Sequence, residues 1–264
     1  AKMKLTTNRL NALMVLAFLP LLAVSAHAAE PKLFNLPDAP ASPRFKLNDR
    51  VWPVQAGEAA VCLWDDDKFA ALSITIDDNC ATDVPWWLTQ AQAYQTPLTW
   101  FIISGNVGNP KIALAGTWDL WTGVLAQGQA VGSHSVTHWR GFQAGGQRPA
   151  DWKGIDWEYA ESIRQIEADV PNHKVRFLAY AGGHGQENND PKVAAKYYLA
   201  ARGGRGAINP ANRIDYLNVN AMTGANLGNP KASWADLNNL FNPKETGYRG
   251  WAVLIFHYVG KPEM

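Results

Sequence analysis

The chain has 264 residues, of which 47% are hydrophobic and 18% charged, and its formal net charge is +1. This composition is that of one ordinary globular domain and excludes disordered and fibrous proteins. The sequence has no run of Lys or Arg that would neutralise phosphates, so nucleic acid is excluded as a partner.

The first 28 residues are typical of a secretory signal peptide. Three basic residues precede an apolar run over residues 10–24, and Ala26-His27-Ala28 supplies small residues for cleavage near Ala28. A membrane anchor is the alternative, but the run is shorter than the roughly 20 residues that a spanning helix needs. We therefore expect a secreted or periplasmic protein without a stable membrane anchor. Its mature form has 21 Lys and Arg against 23 Asp and Glu.

Residues 29–57 are rich in Pro and Ala and show no helical period, which predicts an extended N-terminal arm. The arm precedes a domain over residues 58–264 that could be truncated at its C-terminus. Two apolar runs, 59–64 and 69–76, flank an Asp-rich turn and predict two short strands. Whether Cys62 and Cys80 form a disulfide stays open.

Helices and strands then alternate along the chain. Helices are predicted at residues 85–94, 118–127, 157–170, 191–198 and 232–240, and strands at 98–104, before Val131, at 175–180, 199–202 and 251–257. This alternation fits a parallel barrel or an open sheet. In both architectures, side chains that carry chemistry lie at the carboxyl ends of strands.

Polar groups occupy such strand ends. Asp77 and Asp78 close the apolar run over residues 72–76, and His257 closes the run over residues 253–256. The alternatives are a solvated turn for the Asp pair and a structural role for the histidine. Position alone does not decide between these interpretations.

His134 and His138 lie four residues apart, just beyond the strand that is predicted to end near Val131. On one helical turn they would share a face, and this spacing is common for two imidazoles on one zinc ion. A chance pair is about as frequent.

Three segments, Thr75-Ile76-Asp77-Asp78, His134-Ser135-Val136-Thr137-His138 and Ile255-Phe256-His257, resemble motifs of one family in order and interval. That family is the polysaccharide deacetylases, which are carbohydrate esterase family four and share the NodB-like homology domain. The resemblance runs from about residue 59 to 260. It implies an α/β fold, a distorted (β/α) barrel with about seven strands, and a divalent metal, most often Zn2+.

The resemblance also assigns roles. Asp78, His134 and His138 take the positions of metal ligands, Asp77 that of the catalytic base and His257 that of the acid. A water on the metal would attack the acetyl carbonyl, and a backbone N–H near Tyr180 would help to stabilise the oxyanion. The implied reaction removes O- or N-linked acetyl groups from a polysaccharide or oligosaccharide, which could be xylan, chitin or peptidoglycan.

The segment over residues 176–183 departs from the family's third motif, although it keeps Tyr180. Arg176 is one residue out of step with the arginine that pairs with the base in much of the family. Arg202, at another strand end, is the substitute candidate, and the alternative is an ordinary flexible loop.

Twelve tryptophans are many for this length, and flat rings can stack on sugars, although most should be core. Trp86, Trp87 and Trp139 adjoin the motifs and are the predicted substrate contacts, together with Tyr180 and Arg202.

Three rival functions remain: a hydrolase of C–N bonds in small amides, an inactive carbohydrate-binding protein, and a scaffold with a closed zinc site that includes His184. The oligomeric state is open.

Overall fold

The computed structural model describes Trp64 and residues 68–139, 150, 152–183, 191–203, 206–211, 213–223 and 237–259. The predicted signal peptide, the arm, Cys62 and most of the first predicted strand lie outside these residues. Within the described part of the chain, no helix is long and apolar enough to cross a membrane.

Seven strands of the described chain form one parallel sheet in the spatial order β5-β4-β3-β2-β1-β7-β6. In chain order they are β1 Ala71–Ile76, β2 Leu98–Ile102, β3 Ala130–Ser133, β4 Phe177–Ala179, β5 Ala200–Arg202, β6 Met222–Thr223 and β7 Trp251–Phe256. Strand β2 is buried throughout and β7 almost throughout. Strands covered on both faces of a parallel sheet have this continuous apolar sequence.

The two edges of the sheet meet through the closing segment, residues 216–223. On one side, the amide of Val219 donates to the Ala201 carbonyl at 3.0 Å and the amide of Gly203 donates to the Val219 carbonyl at 3.1 Å. On the other side, the segment continues into β6, which pairs with β7. The sheet is therefore curled into a barrel, which confirms the predicted distorted α/β barrel of about seven strands.

Four α-helices lie in the described connections: α1 Val84–Tyr94, α2 Trp118–Ala126, α3 Ile155–Asp169 and α4 Pro191–Ala194. Pro85 opens α1, and the Thr117 hydroxyl caps α2 by accepting the Leu120 amide at 3.2 Å. Trp87 of α1 and Trp121 of α2 belong to the same buried cluster as the sheet residues. Helices α1, α2 and α3 match their predicted positions to within two residues.

Three predicted elements differ from the structure. Strand β3 runs to Ser133, two residues beyond the predicted end, because Gly132 and Ser133 continue the pairing with β2. The helix predicted over residues 191–198 ends at Ala194, after which tight turns lead the chain into β5. Of the helix predicted over residues 232–240, only the end is described, and it leads into a short 3-10 turn at Asn238–Phe241.

Candidate active site

Asp77 and Asp78 stand in a sharp turn at the carboxyl end of β1. The three consecutive residues 78–80 have left-handed backbone angles, with φ of 56°, 64° and 49°. The Asn79 side chain fixes this turn, since its Oδ1 accepts the Ile103 amide at 2.8 Å and its Nδ2 donates to the Ala115 carbonyl at 2.9 Å. The strained backbone is thus tied to the neighbouring connections and keeps both carboxylates at the strand end.

Asp77 is buried against a cation. The guanidinium of Arg202, from the end of β5, forms an ion pair with Oδ1 of Asp77 and lies 4.8 Å from the centre of the Phe101 ring. The structure therefore places Arg202 against the proposed base. Because the arginine is itself buried, it acts on Asp77 rather than presenting a surface to a ligand.

His134, which directly follows β3, has its ring fixed by a backbone carbonyl. Its Nδ1 lies 2.8 Å from the Ala179 oxygen, and since a carbonyl only accepts, Nδ1 carries the hydrogen. In the neutral imidazole the lone pair is then on Nε2, and this atom lies 3.4 Å from Oδ1 of Asp78. A hydrogen bond from the other ring nitrogen to a backbone carbonyl, as made here by Nδ1, commonly orients a metal-binding histidine.

His138 completes a three-residue cluster. Its Nε2 also lies 3.4 Å from Oδ1 of Asp78, and its ring centre is 4.5 Å from that of His134. One ligand atom from each of the three residues falls within 4.8 Å of the others. The Asp78 Oδ1 atom is buried and has no hydrogen-bond partner among the described residues.

The charges in this cluster are coupled. Burial on its own would raise the pKa of Asp78, but the adjacent His134, His138 and His257 offset it and hold that pKa well below its ordinary value. Burial likewise disfavours a charged His134, yet Asp77 and Asp78 outweigh it and raise the pKa of the imidazole. The concentration of negative charge favours a cation between these side chains.

These residues fit a divalent metal. Two imidazole nitrogens and one carboxylate oxygen are ligands that zinc accepts, and three protein ligands leave a coordination position open. The buried, unbonded Oδ1 of Asp78 is the atom that such an ion would satisfy.

His257 directly follows β7 and approaches the cluster from that strand end. Its Nε2 is 3.8 Å from Oδ2 of Asp78, and its side chain is 41% exposed. It is thus the accessible imidazole of the site and can meet a substrate from solvent.

The histidine loop, residues 134–138, is not the helical turn on which the two histidines would share a face. Ser135 and His138 have φ of 66° and 58°, which interrupts a helix. The amides of Ser104 and Gly105 donate to the carbonyls of Ser135 and Val136, each at 3.1 Å. A side chain at Gly105 would lie 2.7 Å from the Val136 oxygen, so this close approach requires glycine.

Glu158 is a buried residue of the site that the sequence analysis missed. Its carboxylate accepts hydrogen bonds from the histidine loop. The helical spacing of α3 could have indicated its burial. Glu158 precedes the buried Ser162 and Ile166 by four and eight residues, so the three side chains share the buried face of the helix.

Tyr180 lies in the barrel seam rather than on an open surface. Its hydroxyl donates to the Leu217 carbonyl at 2.9 Å, and its amide donates to the Arg202 carbonyl at 2.9 Å. The amide of Tyr180 itself is therefore engaged and does not serve as an oxyanion donor.

The tryptophans predicted to contact substrate differ in exposure. Trp87 and Trp139 are buried, and they pack against Phe256 and Trp152 with ring centres 5.1 and 4.4 Å apart. Trp86 is 46% exposed. His184 lies outside the described residues.

Known proteins resemble this chain in sequence and in fold. A family described as polysaccharide deacetylase matches residues 65–200. The chain is 34% identical over 248 residues to a Bacillus sp protein named gellan lyase, and the match covers 87% of this chain but only 9% of that protein.

Two solved structures are similar in fold. The Streptococcus pyogenes deacetylase PplD, in complex with acetate, has 18% identity and a TM-score of 0.51, over 65% of this chain and 70% of its own. IcaB from Ammonifex degensii has 20% identity and a TM-score of 0.49, over 62% of this chain and 72% of its own.

Proposed function

The chain belongs to the polysaccharide deacetylase family, and from this premise we propose that it is a metal-dependent hydrolase that removes acetyl groups from a polysaccharide or oligosaccharide. One observation carries the proposal. His134 and His138 converge on a buried oxygen of Asp78 that has no hydrogen-bond partner within the described part of the chain, and Asp77 and His257 lie within 4 Å of this group.

Asp78, His134 and His138 would hold the ion, with zinc the best match to their donor atoms. When bound, the ion polarises the acetyl carbonyl and lowers the pKa of a water molecule from about 15.7 towards 7. The protein then has to supply only proton transfers and orientation.

Asp77 is the proposed general base. Arg202 occupies its Oδ1, which leaves Oδ2, 3.7 Å from Nε2 of His134, facing the ligand cluster. This oxygen accepts the proton of the attacking water, while the ion pair fixes the orientation of the carboxylate.

His257 is the proposed general acid, which protonates the departing sugar oxygen or nitrogen. It is exposed enough to reach a substrate, and it is close enough to Asp78 to stay near the reacting carbonyl. Exposed Trp86 is the remaining tryptophan candidate for stacking on a sugar ring.

Metal content and acetate release together test the proposal. Purified protein should bind about one zinc ion per chain and release acetate from acetylated xylan, chitooligosaccharides or acetylated gellan. Gellan is included because the Bacillus sp relative carries its name. Chelation should abolish release and zinc should restore it.

Two neighbouring variants separate binding from chemistry. Asp78→Asn should lose zinc and activity together, whereas Asp77→Asn should keep zinc and lose about 10²–10⁴-fold in acetate release. His173→Gln is the control, since this histidine contacts the Val131 carbonyl away from the cluster. Zinc binding without acetate release from any polymer would favour small amides or an inactive binding protein, and absence of zinc would contradict the site.

A further inference from the structure

The carboxylate of Glu158 is buried directly behind the histidine loop. Its Oε2 accepts the amides of Val136 and Thr137 at 2.8 and 2.9 Å. Its Oε1 accepts the Thr137 hydroxyl at 2.5 Å and the Trp152 indole N–H at 2.8 Å. All four partners are donors. A carboxylate accepts at both oxygens and therefore suits them, whereas an amide would place an NH2 group against some of them.

The peptide groups that Glu158 holds lie between the two histidines. This loop contains two left-handed residues that are not glycine, a conformation that persists only where the surroundings hold it. On its other side, the loop is bonded to the amides of Ser104 and Gly105. Glu158 thus completes a clamp around the loop, and it does so from a 15-residue helix.

We propose that Glu158 is a positioning residue for the metal centre, which sets the placement of His138 relative to His134. This inference rests on the proposed function, because it assumes that the histidines bind a metal. Glu158 touches neither histidine ring among the contacts described. It acts through the backbone of Val136 and Thr137, so its loss misplaces the ligands without removing one.

Glu158→Gln tests the proposal, with Glu161→Gln as the matched control. Glu161 lies one turn further along α3, and its carboxylate contacts Arg164 and Gln165 on the surface. In Glu158→Gln, an NH2 group must face at least one donor, so part of the clamp is lost. We expect the zinc dissociation constant, measured by chelator competition, to rise about 10–100-fold in Glu158→Gln and to stay unchanged in Glu161→Gln.

A spectroscopic readout separates positioning from simple stability. The visible absorption of bound Co2+ should shift in Glu158→Gln, because the ligands meet the ion in a changed geometry, and it should stay at the parent spectrum in Glu161→Gln. Lower thermal stability of the metal-free protein with parent affinity and parent spectrum would overturn the proposal. If the parent binds zinc but releases no acetate, the proposed reaction fails while this test still decides the role of Glu158.

A second pair of variants covers the case in which Glu158→Gln does not fold. Thr137→Val removes the hydroxyl that donates to Oε1 and also accepts the Trp139 amide at 3.3 Å, whereas Thr137→Ser keeps both bonds. Zinc affinity should fall several-fold in Thr137→Val and recover in Thr137→Ser. Equal affinities in the two variants would contradict the clamp, and a parent that binds no metal would overturn this proposal together with the site.

Discussion

At the residue scale, the two adjacent carboxylates at the end of β1 differ in their surroundings. Asp77 is buried and paired with Arg202, while Asp78 is partly exposed and faces three imidazoles. Under the proposed function, one strand end would therefore provide both the proton acceptor and a metal ligand. Environments that differ in this way let neighbouring carboxylates take separate roles.

Replacing Arg202 should show how strongly Asp77 depends on it. Arg202→Met leaves a buried carboxylate without its cation, which should lower the free energy of unfolding by about 3–5 kcal/mol. Asp77→Asn combined with Arg202→Met removes both charges, and the double variant should recover about 1–3 kcal/mol of that loss. Urea denaturation of the parent, the two single variants and the double variant measures the coupling energy between Asp77 and Arg202. If the two single effects simply added, the ion pair would not be a stabilising unit.

The sequence predicted the residues whose position in the chain is itself informative. Apolar runs end at Asp77, Asp78 and His257, and the spacing of His134 and His138 suits a metal. These five residues could therefore be matched to the family's motifs. Glu158 lies in a helix rich in acidic residues, where a carboxylate usually faces water. Its burial depends on the histidine loop, which is distant in the sequence.

For the tryptophans, the sequence did not distinguish buried from exposed side chains. A flat apolar ring beside a motif suits both the core and a sugar-binding surface, and no local pattern separates these environments. Trp86 and Trp87 are neighbours in the sequence, yet the helix turns one towards solvent and the other against Phe256.

At the element scale, the predicted strands that the structure describes lie within two residues of their predicted bounds, and β3 is the one that continues beyond its predicted end. Gly132 and Ser133 carry no β-forming side chain, so the sequence did not indicate that β3 continues. In the structure, Gly132 pairs with Phe101 of β2, whose ring fills the space beside it. Packing between strands thus overrides local preference.

Two glycine substitutions should have opposite effects on stability. A Cβ on Gly132 would lie 2.7 Å from the Phe101 ring and 3.0 Å from the Phe177 carbonyl, so Gly132→Ala should cost about 1–3 kcal/mol of unfolding free energy. Gly123 lies in α2 with open space around it, and Gly123→Ala should stabilise the protein by about 0.5–1 kcal/mol. Urea denaturation measures both.

The activity of Gly132→Ala adds a second readout. Phe101 supports the guanidinium of Arg202, so a displaced ring should also disturb Asp77 and reduce acetate release. Equal stability of the Gly132→Ala and Gly123→Ala proteins would show that β2 and β3 are packed less tightly than described.

At the scale of the whole molecule, the alternation of helices and strands did not distinguish a closed barrel from an open sheet. Closure depends on the segment over residues 216–223, whose pairing is mostly single backbone bonds between short, irregular stretches. Such a segment has no periodic pattern to detect. It matters for function because Arg202, the partner of Asp77, ends the strand to which this segment is bonded.

Asn209 holds the closing segment in place. Its Oδ1 accepts the Asn220 amide at 2.8 Å, and its Nδ2 donates to the carbonyls of Asn220 and Trp251 at 2.9 and 3.0 Å. Asn209→Ala leaves these groups unpaired and should cost about 1–3 kcal/mol. Asn218→Ala removes a more exposed contact to Asp215 in the same segment and should change stability by less than about 0.5 kcal/mol.

Hydrogen exchange should locate the damage in Asn209→Ala. The amides of Val219 and Gly203, which join the closing segment to β5, should exchange faster than in the parent, while those shared by β1 and β2 should follow global unfolding alone. Because the open seam frees Arg202, acetate release should fall before the sheet unfolds. Uniform acceleration across all strands would instead mean that closure and sheet form one cooperative unit.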